Sequence, residues 1–99
     1  MYVIREVLRC KPGKVRQMVE KFRAISTALT ELGHDPLRLM TDVSGERFWT
    51  IVAEASVDTL DQFLSVEQQL MGNEAVRRAM ADYHDLVASG RREVYRIES

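Results

Sequence analysis

Residues 37–55 read LRLMTDVSGERFWTIVAEA. Two runs rich in apolar, β-branched and aromatic residues flank Ser44-Gly45-Glu46. A strand, a short glycine-bearing turn and a second strand make a hairpin. Residues 37–43 are expected to form its first strand and residues 48–55 its second. What lies on either side of this hairpin decides the fold.

Upstream, Asp35-Pro36 separates the hairpin from a helical stripe. Val15, Met18, Val19, Phe22, Ile25, Leu29 and Leu32 recur three or four residues apart, apart from the adjacent Met18-Val19 pair, and predict a helix over 14–32 with one buried face. Gly33 follows where a left-handed C-cap is wanted. Before the helix, residues 2–10 (YVIREVLRC) read as a strand that stops at Pro12-Gly13. Downstream of the hairpin, Ser56 is expected to cap a second helical region, with Asp58 in its first turn. Leu60, Phe63, Leu64, Leu70 and Met71 supply its apolar contacts, and Gly72-Asn73 interrupts it. Asn73 can recap a stretch in which Val76, Met80, Tyr83 and Val87 line one face. Gly90 is read as the end of that stretch and residues 92–97 (REVYRI) as a last strand.

The order is β-α-β-β-α-β. Right-handed crossovers fold this into a ferredoxin-like α+β domain, a four-stranded antiparallel sheet with both helices on one face. Residues 1–99 make a single domain. The other face of the sheet is left bare. A bare face carrying apolar residues must be covered, and a second copy packed sheet to sheet would cover it. A homodimer is expected on that ground.

Composition excludes several function classes. A formal net charge of −1, with acids and bases interspersed, leaves no basic footprint for nucleic acid or an anionic membrane. No apolar run approaches the ~18 residues of a membrane span. The single cysteine, Cys10, cannot staple its own chain, and the N-terminus carries Arg5, Glu6 and Arg9, unlike a signal peptide. A cytoplasmic setting is expected. No phosphate-binding loop, nucleophile elbow or dinucleotide glycine pattern occurs, and His34 and His84 have no metal-ligand spacing. Neither a metal nor a cofactor is expected.

Three stretches carry a resemblance: REVLRCKPGKVRQMVEKF at the start, LMTDVSGERFWTIVAEA in the hairpin and ASGRREVYRIE at the end. Together they resemble the dimeric α/β-barrel superfamily, which includes NIPSNAP-like proteins, antibiotic-biosynthesis monooxygenases and haem-degrading monooxygenases. The likeness is greatest to an uncharacterised NIPSNAP-like branch. It implies a dimeric α/β barrel; it does not imply one activity, because this fold hosts many chemistries. In the haem-degrading relatives a ligand lies between helices and sheet, served by an asparagine, a tryptophan and a histidine. Anchored on Pro12-Gly13 and the end of the third strand, Glu6 falls at the asparagine, Glu54 at the tryptophan and Met80 near the histidine. None matches, so haem degradation is not carried over.

Candidate site residues follow from strand alternation. Phe48, Thr50, Val52 and Glu54 share one face of the third strand, and Tyr2, Ile4, Glu6, Leu8 and Cys10 share one face of the first. If both sets point toward the helices, as the resemblance implies, Glu54 and Glu6 approach one cleft and could serve as general acid or base. The plainer alternative is an ion pair for each, with Arg5, Arg9, Arg91, Arg92 and Arg96 as available partners. His84 lies on the flank of the second helical stripe and could reach the cleft; an ordinary surface histidine is the alternative. Tyr83, Met80, Phe48 and Val52 are expected to line the pocket. Trp49, Ile51 and Ala53 would then face the partner subunit, with Trp49 as an anchor. Cys10 reads as a small buried residue and His34-Asp35-Pro36 as turn chemistry.

Two functions remain open. One is a small dimeric protein that binds an apolar or aromatic ligand in the helix–sheet cleft without chemistry of its own. The other is a cofactor-independent monooxygenase or isomerase with a pocket carboxylate as base. The absence of any strong catalytic motif favours the first.

Overall fold

The computed structural model describes residues 1–99. Strand β1 (Tyr2–Cys10) leads into helix α1 (Val15–Glu31), followed by β2 (Arg38–Thr41) and β3 (Thr50–Val57). Helices α2 (Leu60–Met71) and α3 (Glu74–Ala79) come next, then a single 3-10 turn (Tyr83–Asp85) and β4 (Val87–Arg96). The four strands form one antiparallel sheet in the order β2-β3-β1-β4. This is the ferredoxin-like α+β arrangement expected from the order of elements, with the helical region broken at Gly72-Asn73.

Helix α1 ends as its sequence requires. Gly33 has φ 88°, a left-handed conformation that a Cβ disfavours. From there Gly33 N–H donates to Thr30 O at 3.0 Å and His34 N–H donates to Leu29 O at 2.9 Å, the paired bonds of a Schellman cap. The second helical region starts later than expected. Ser56 is still in β3, and Thr59 is the cap, its Oγ1 accepting from Gln62 N–H at 3.1 Å. Asn73 recaps as expected, with Oδ1 accepting from Val76 N–H at 3.1 Å.

Two boundaries differ in ways that matter. The hairpin connection is not a three-residue turn: β2 ends at Thr41 and β3 starts only at Thr50. Trp49 has φ 63° and so cannot continue the strand. Asp42 closes the loop instead, its Oδ1 accepting from Thr50 N–H at 2.8 Å. The last strand begins at Val87, with Gly90 inside it opposite Leu8. A Cβ at Gly90 would strike the Leu8 side chain, so this glycine is a packing position and not a helix stop.

The core lies between α1 and the centre of the sheet. Met18, Val19 and Phe22 of α1 meet Cys10, Ile51, Ala53 and Leu86. Met18 and Ile51 are fully buried, and each such side chain contributes roughly 1.5–3 kcal/mol. Only 12 of the 99 residues are buried, so much apolar surface stays uncovered in the single chain. The molecule measures 35 × 35 × 17 Å, a slab of one sheet and one helical layer.

Candidate functional site

The sheet has two faces, and neighbouring residues on each strand go to opposite ones. On β1, Ile4, Glu6, Leu8 and Cys10 face the helices. Cross-strand partners share a face, and Glu6 pairs with Ala53 while Arg5 pairs with Glu54. Ile51, Ala53 and Ala55 of β3 therefore point to the helices, and Thr50, Val52 and Glu54 point away.

This corrects the expected cleft. Glu54 does not approach Glu6; the two carboxylates lie on opposite faces of the sheet. Val52 leaves the pocket with Glu54, and Phe48 lies in the hairpin loop, exposed to solvent. Ile51 and Ala53, expected at a partner, are core residues. The like charges themselves explain the outcome: this register sets Arg5 beside Glu54, where the alternative would have buried two acids together.

On the helix side, a cavity of about 620 Å³ opens between the sheet and the helices. Ile4, Leu8, Phe22 and Leu29 form its floor and one wall; Phe63, Val66 and Leu70 of α2 form the other. Tyr83 and Met80 line it, as expected from the sequence. His84 does not; it stacks on the Tyr83 ring at 4.0 Å between centroids and stays exposed. Helix α2 contains no buried residue, because its apolar underside faces the cavity and not a packed layer.

Three of the cavity's charged groups form a cluster. Glu6 on β1 accepts a hydrogen bond from Arg92 Nε on β4, its cross-strand partner. The same guanidinium lies 3.2 Å, Nη1 to Oε2, from Glu67 of α2. Glu67 Oε2 is shut off from solvent yet accepts no hydrogen bond of good geometry, so this contact is electrostatic. The Arg92 guanidinium also sits over the Phe63 ring at 4.9 Å. Burial works against its charge, but the hydrogen bond it donates to Glu6 and the two nearby carboxylates outweigh it, and its pKa is raised. At the far rim His34 Nε2 and Gln69 Oε1, 2.9 Å apart, tie the end of α1 to α2. Arg92 was legible as a partner for an acid. Glu67 and Phe63 were not, although their spacing of four puts them on one face of α2.

The open face is different in kind. Arg5 Nε donates to Glu54 Oε2 at 2.7 Å, and Arg38 lies 3.9 Å from the other oxygen. The hydrogen bond to Glu54 raises the Arg5 pKa. Arg91 Nε donates to Glu93 Oε2 at 2.7 Å and holds the Glu93 carboxyl below its ordinary range, with help from Tyr95. Val7, Val52 and Met40 lie among these pairs. No group of His, Cys, Asp and Glu side chains is placed to hold a metal ion, and Cys10 is buried and unpaired.

Solved structures share this fold. A NIPSNAP-like domain protein of Burkholderia xenovorans, described as uncharacterised, superposes with a TM-score of 0.82 over 99% of this chain and 85% of its own, at 12% identity. The fold is theirs in common. A NIPSNAP family protein of Agrobacterium tumefaciens, of unknown function, matches with a TM-score of 0.80 over 96% of this chain and 86% of its own, at 17% identity. A candidate antibiotic biosynthesis monooxygenase of Nitrosomonas europaea matches with a TM-score of 0.74 over the full length of both chains, at 15% identity. No protein-family model and no curated protein matches the sequence. The resemblance carried by the three sequence stretches thus agrees with the shared fold, and identities this low speak for the fold alone.

Proposed function

We propose that this protein binds a small apolar or aromatic ligand in the cavity between the helices and the sheet, and that it does so as a homodimer paired through the open sheet face. One observation carries the ligand reading: a cavity of about 620 Å³ with a mostly apolar lining and a charged cluster of Glu6, Arg92 and Glu67. An apolar cleft of this kind leaves its lining in water, and a ligand that covers it would gain from removing that surface from solvent. The dimer is supported by the low burial of the single chain and by Val7, Val52 and Met40 on an otherwise polar face. No helix is long and apolar enough to cross a membrane; a cytoplasmic setting is part of the reading, with an unpaired Cys10 in its support.

Thermal unfolding against haem, flavins, quinones and aromatic acids tests the cavity. A binder should raise the melting temperature of the wild type and not that of Ala55→Phe, which fills the cavity from the sheet side. A shift retained in that variant places the ligand elsewhere. Sedimentation at micromolar concentration should give about twice 11.4 kDa; a monomer would sink the dimer.

A second reading is favoured by the structural likeness to the candidate monooxygenase. In it a pocket carboxylate acts as base toward an acidic C–H or O–H of the ligand. Glu6 is the strand carboxylate that reaches the cavity, and Glu54 has no part in it. The hydrogen bond from Arg92 makes Glu6 an ion-pair partner before it is a base, which weighs toward binding without chemistry. Replacing a true base with glutamine would lower turnover by roughly 10²–10⁴-fold.

A further inference from the structure

The polar end of the cavity has an unbalanced charge. Glu6 and Glu67 approach one guanidinium, Arg92, from two sides. No lysine or second arginine lines the cavity, and its other charged residue, Asp35, lies exposed beside His34 at the far rim. Two acids against one base is not a property of the whole chain, whose 14 basic and 15 acidic residues nearly cancel. Nor is it a property of the sheet as such. The open face gathers five arginines against four acids. The excess of negative charge stands beside the cavity's apolar lining, where partial desolvation strengthens its effect.

The side chains of Glu6 and Glu67 keep about a third of their surface exposed, 30% and 34%, so they are not closed off by Arg92. Glu67 Oε2, though covered, holds no hydrogen bond. Aromatic surface stands beside them in Phe63, which already faces the Arg92 cation, and Tyr83 lines the same cavity. A protonated amine would add a charge-assisted bond to the under-neutralised pair and find aromatic faces next to it. A carboxylate head would meet like charge in the same place.

We infer that the ligand of this cavity is an amphiphile with an apolar body and a cationic, amine-type head that docks against Glu6 and Glu67. The inference rests on the reading of the cavity as a ligand site and adds the sign of the ligand's charge. Helix α2 takes part directly. It has no buried residue of its own and contributes both Glu67 and the apolar wall, so the ligand's body completes the packing of that helix.

The test is a titration of the wild-type protein at pH 7 with two matched series: naphthylmethylamine, naphthylmethanol and naphthoate, and decylamine, decanol and decanoate. In at least one series the amine should bind about tenfold or more tighter than the alcohol, and the carboxylate most weakly. Glu67→Gln and Glu6→Gln should each shrink the amine's advantage severalfold while leaving alcohol affinity near that of the wild type. Circular dichroism checks that both variants are folded. A carboxylate that binds as tightly as its amine overturns the inference and leaves the cavity reading standing. So does an amine preference undiminished in both variants. If no member of either series binds, the cavity reading falls, and the inference with it.

Discussion

The helix side and the open side of the sheet are made from alternate residues of the same four strands, yet they are chemically unlike. Toward the helices β1 and β3 present Ile4, Leu8, Cys10, Ile51 and Ala53, with Glu6 as the lone acid of these strands in the cavity. Away from the helices they present Arg5, Val7, Arg9, Thr50, Val52 and Glu54, with arginines and carboxylates paired across strands. A one-residue difference in parity separates a core position from an ion-pair position. The adjacent residues Ile51 and Val52 therefore have opposite fates, although a hydropathy scale hardly distinguishes them.

That pair offers the largest expected effect. Ile51→Glu buries an unpaired carboxylate in the core cluster, at a cost comparable to the whole margin of ~5–15 kcal/mol that holds a small domain together. The variant should lack a cooperative melting transition by circular dichroism. Val52→Glu places its charge on the open face and should keep native secondary structure while shifting sedimentation from dimer to monomer. If Val52→Glu unfolds and Ile51→Glu folds, the two faces have been exchanged.

How far the faces were legible depended on the strand. On β1 the set Ile4, Leu8 and Cys10 is more apolar than Val3, Arg5, Val7 and Arg9, and it faces the helices, the orientation that the resemblance implies. On β3 the two sets are nearly matched: Thr50 and Val52 against Ile51 and Ala53. Alternation alone could not choose between them. The charges could have: with β1 oriented, Glu54 belongs on the side of Arg5, not that of Glu6. The element order, the cap at Gly33 and the break at Asn73 were legible because each is local chemistry. The cavity's polar end was not, because Glu67 and Arg92 meet Glu6 only through the packing of α2 over the sheet.

A smaller effect separates Glu54 and Glu6, the two carboxylates on opposite faces of the sheet. Glu54→Gln removes the hydrogen-bonded partner of Arg5 on the open face and should cost about 1 kcal/mol, a shift of a few degrees in melting temperature. It should leave ligand affinity in the cavity unchanged. Glu6→Gln should do the reverse in kind, altering affinity for charged ligands. Calorimetric titration of both variants with one ligand checks the contrast, and an affinity loss in Glu54→Gln would tie the two faces together.

The helical layer repeats the contrast within one face. Helix α1 buries Met18, Val19, Phe22, Ala28 and Leu29, whereas α2 buries none and is held by Glu67 to Arg92 and Gln69 to His34. Amide protons of α2 should exchange faster than those of α1, through local opening that does not require global unfolding. A ligand that fills the cavity should slow α2 and leave α1 near its free value. Equal protection of both helices in the free protein would show that α2 is already packed.

The smallest effect belongs to the rim of the open face. Hydrogen bonds from Arg91 and Tyr95 lower the Glu93 pKa below 4.5 in the folded chain. Between the folded and unfolded values the unfolded chain holds more protons, so stability rises with pH through that window and is complete above it. The contribution is present at neutral pH and lost as pH falls through the folded value. Glu93 is half-buried but its partner Arg91 is exposed, so solvent screens the pair, and the difference between wild type and Glu93→Gln should be slight. Urea unfolding from pH 3 to 7 should show it above the carboxylate range and lose it at the acid end. If the open face is covered by a second copy, dimerisation removes that screening, and the Glu93→Gln difference should grow with protein concentration. A difference that stays constant across concentration would argue that Glu93 lies outside the interface.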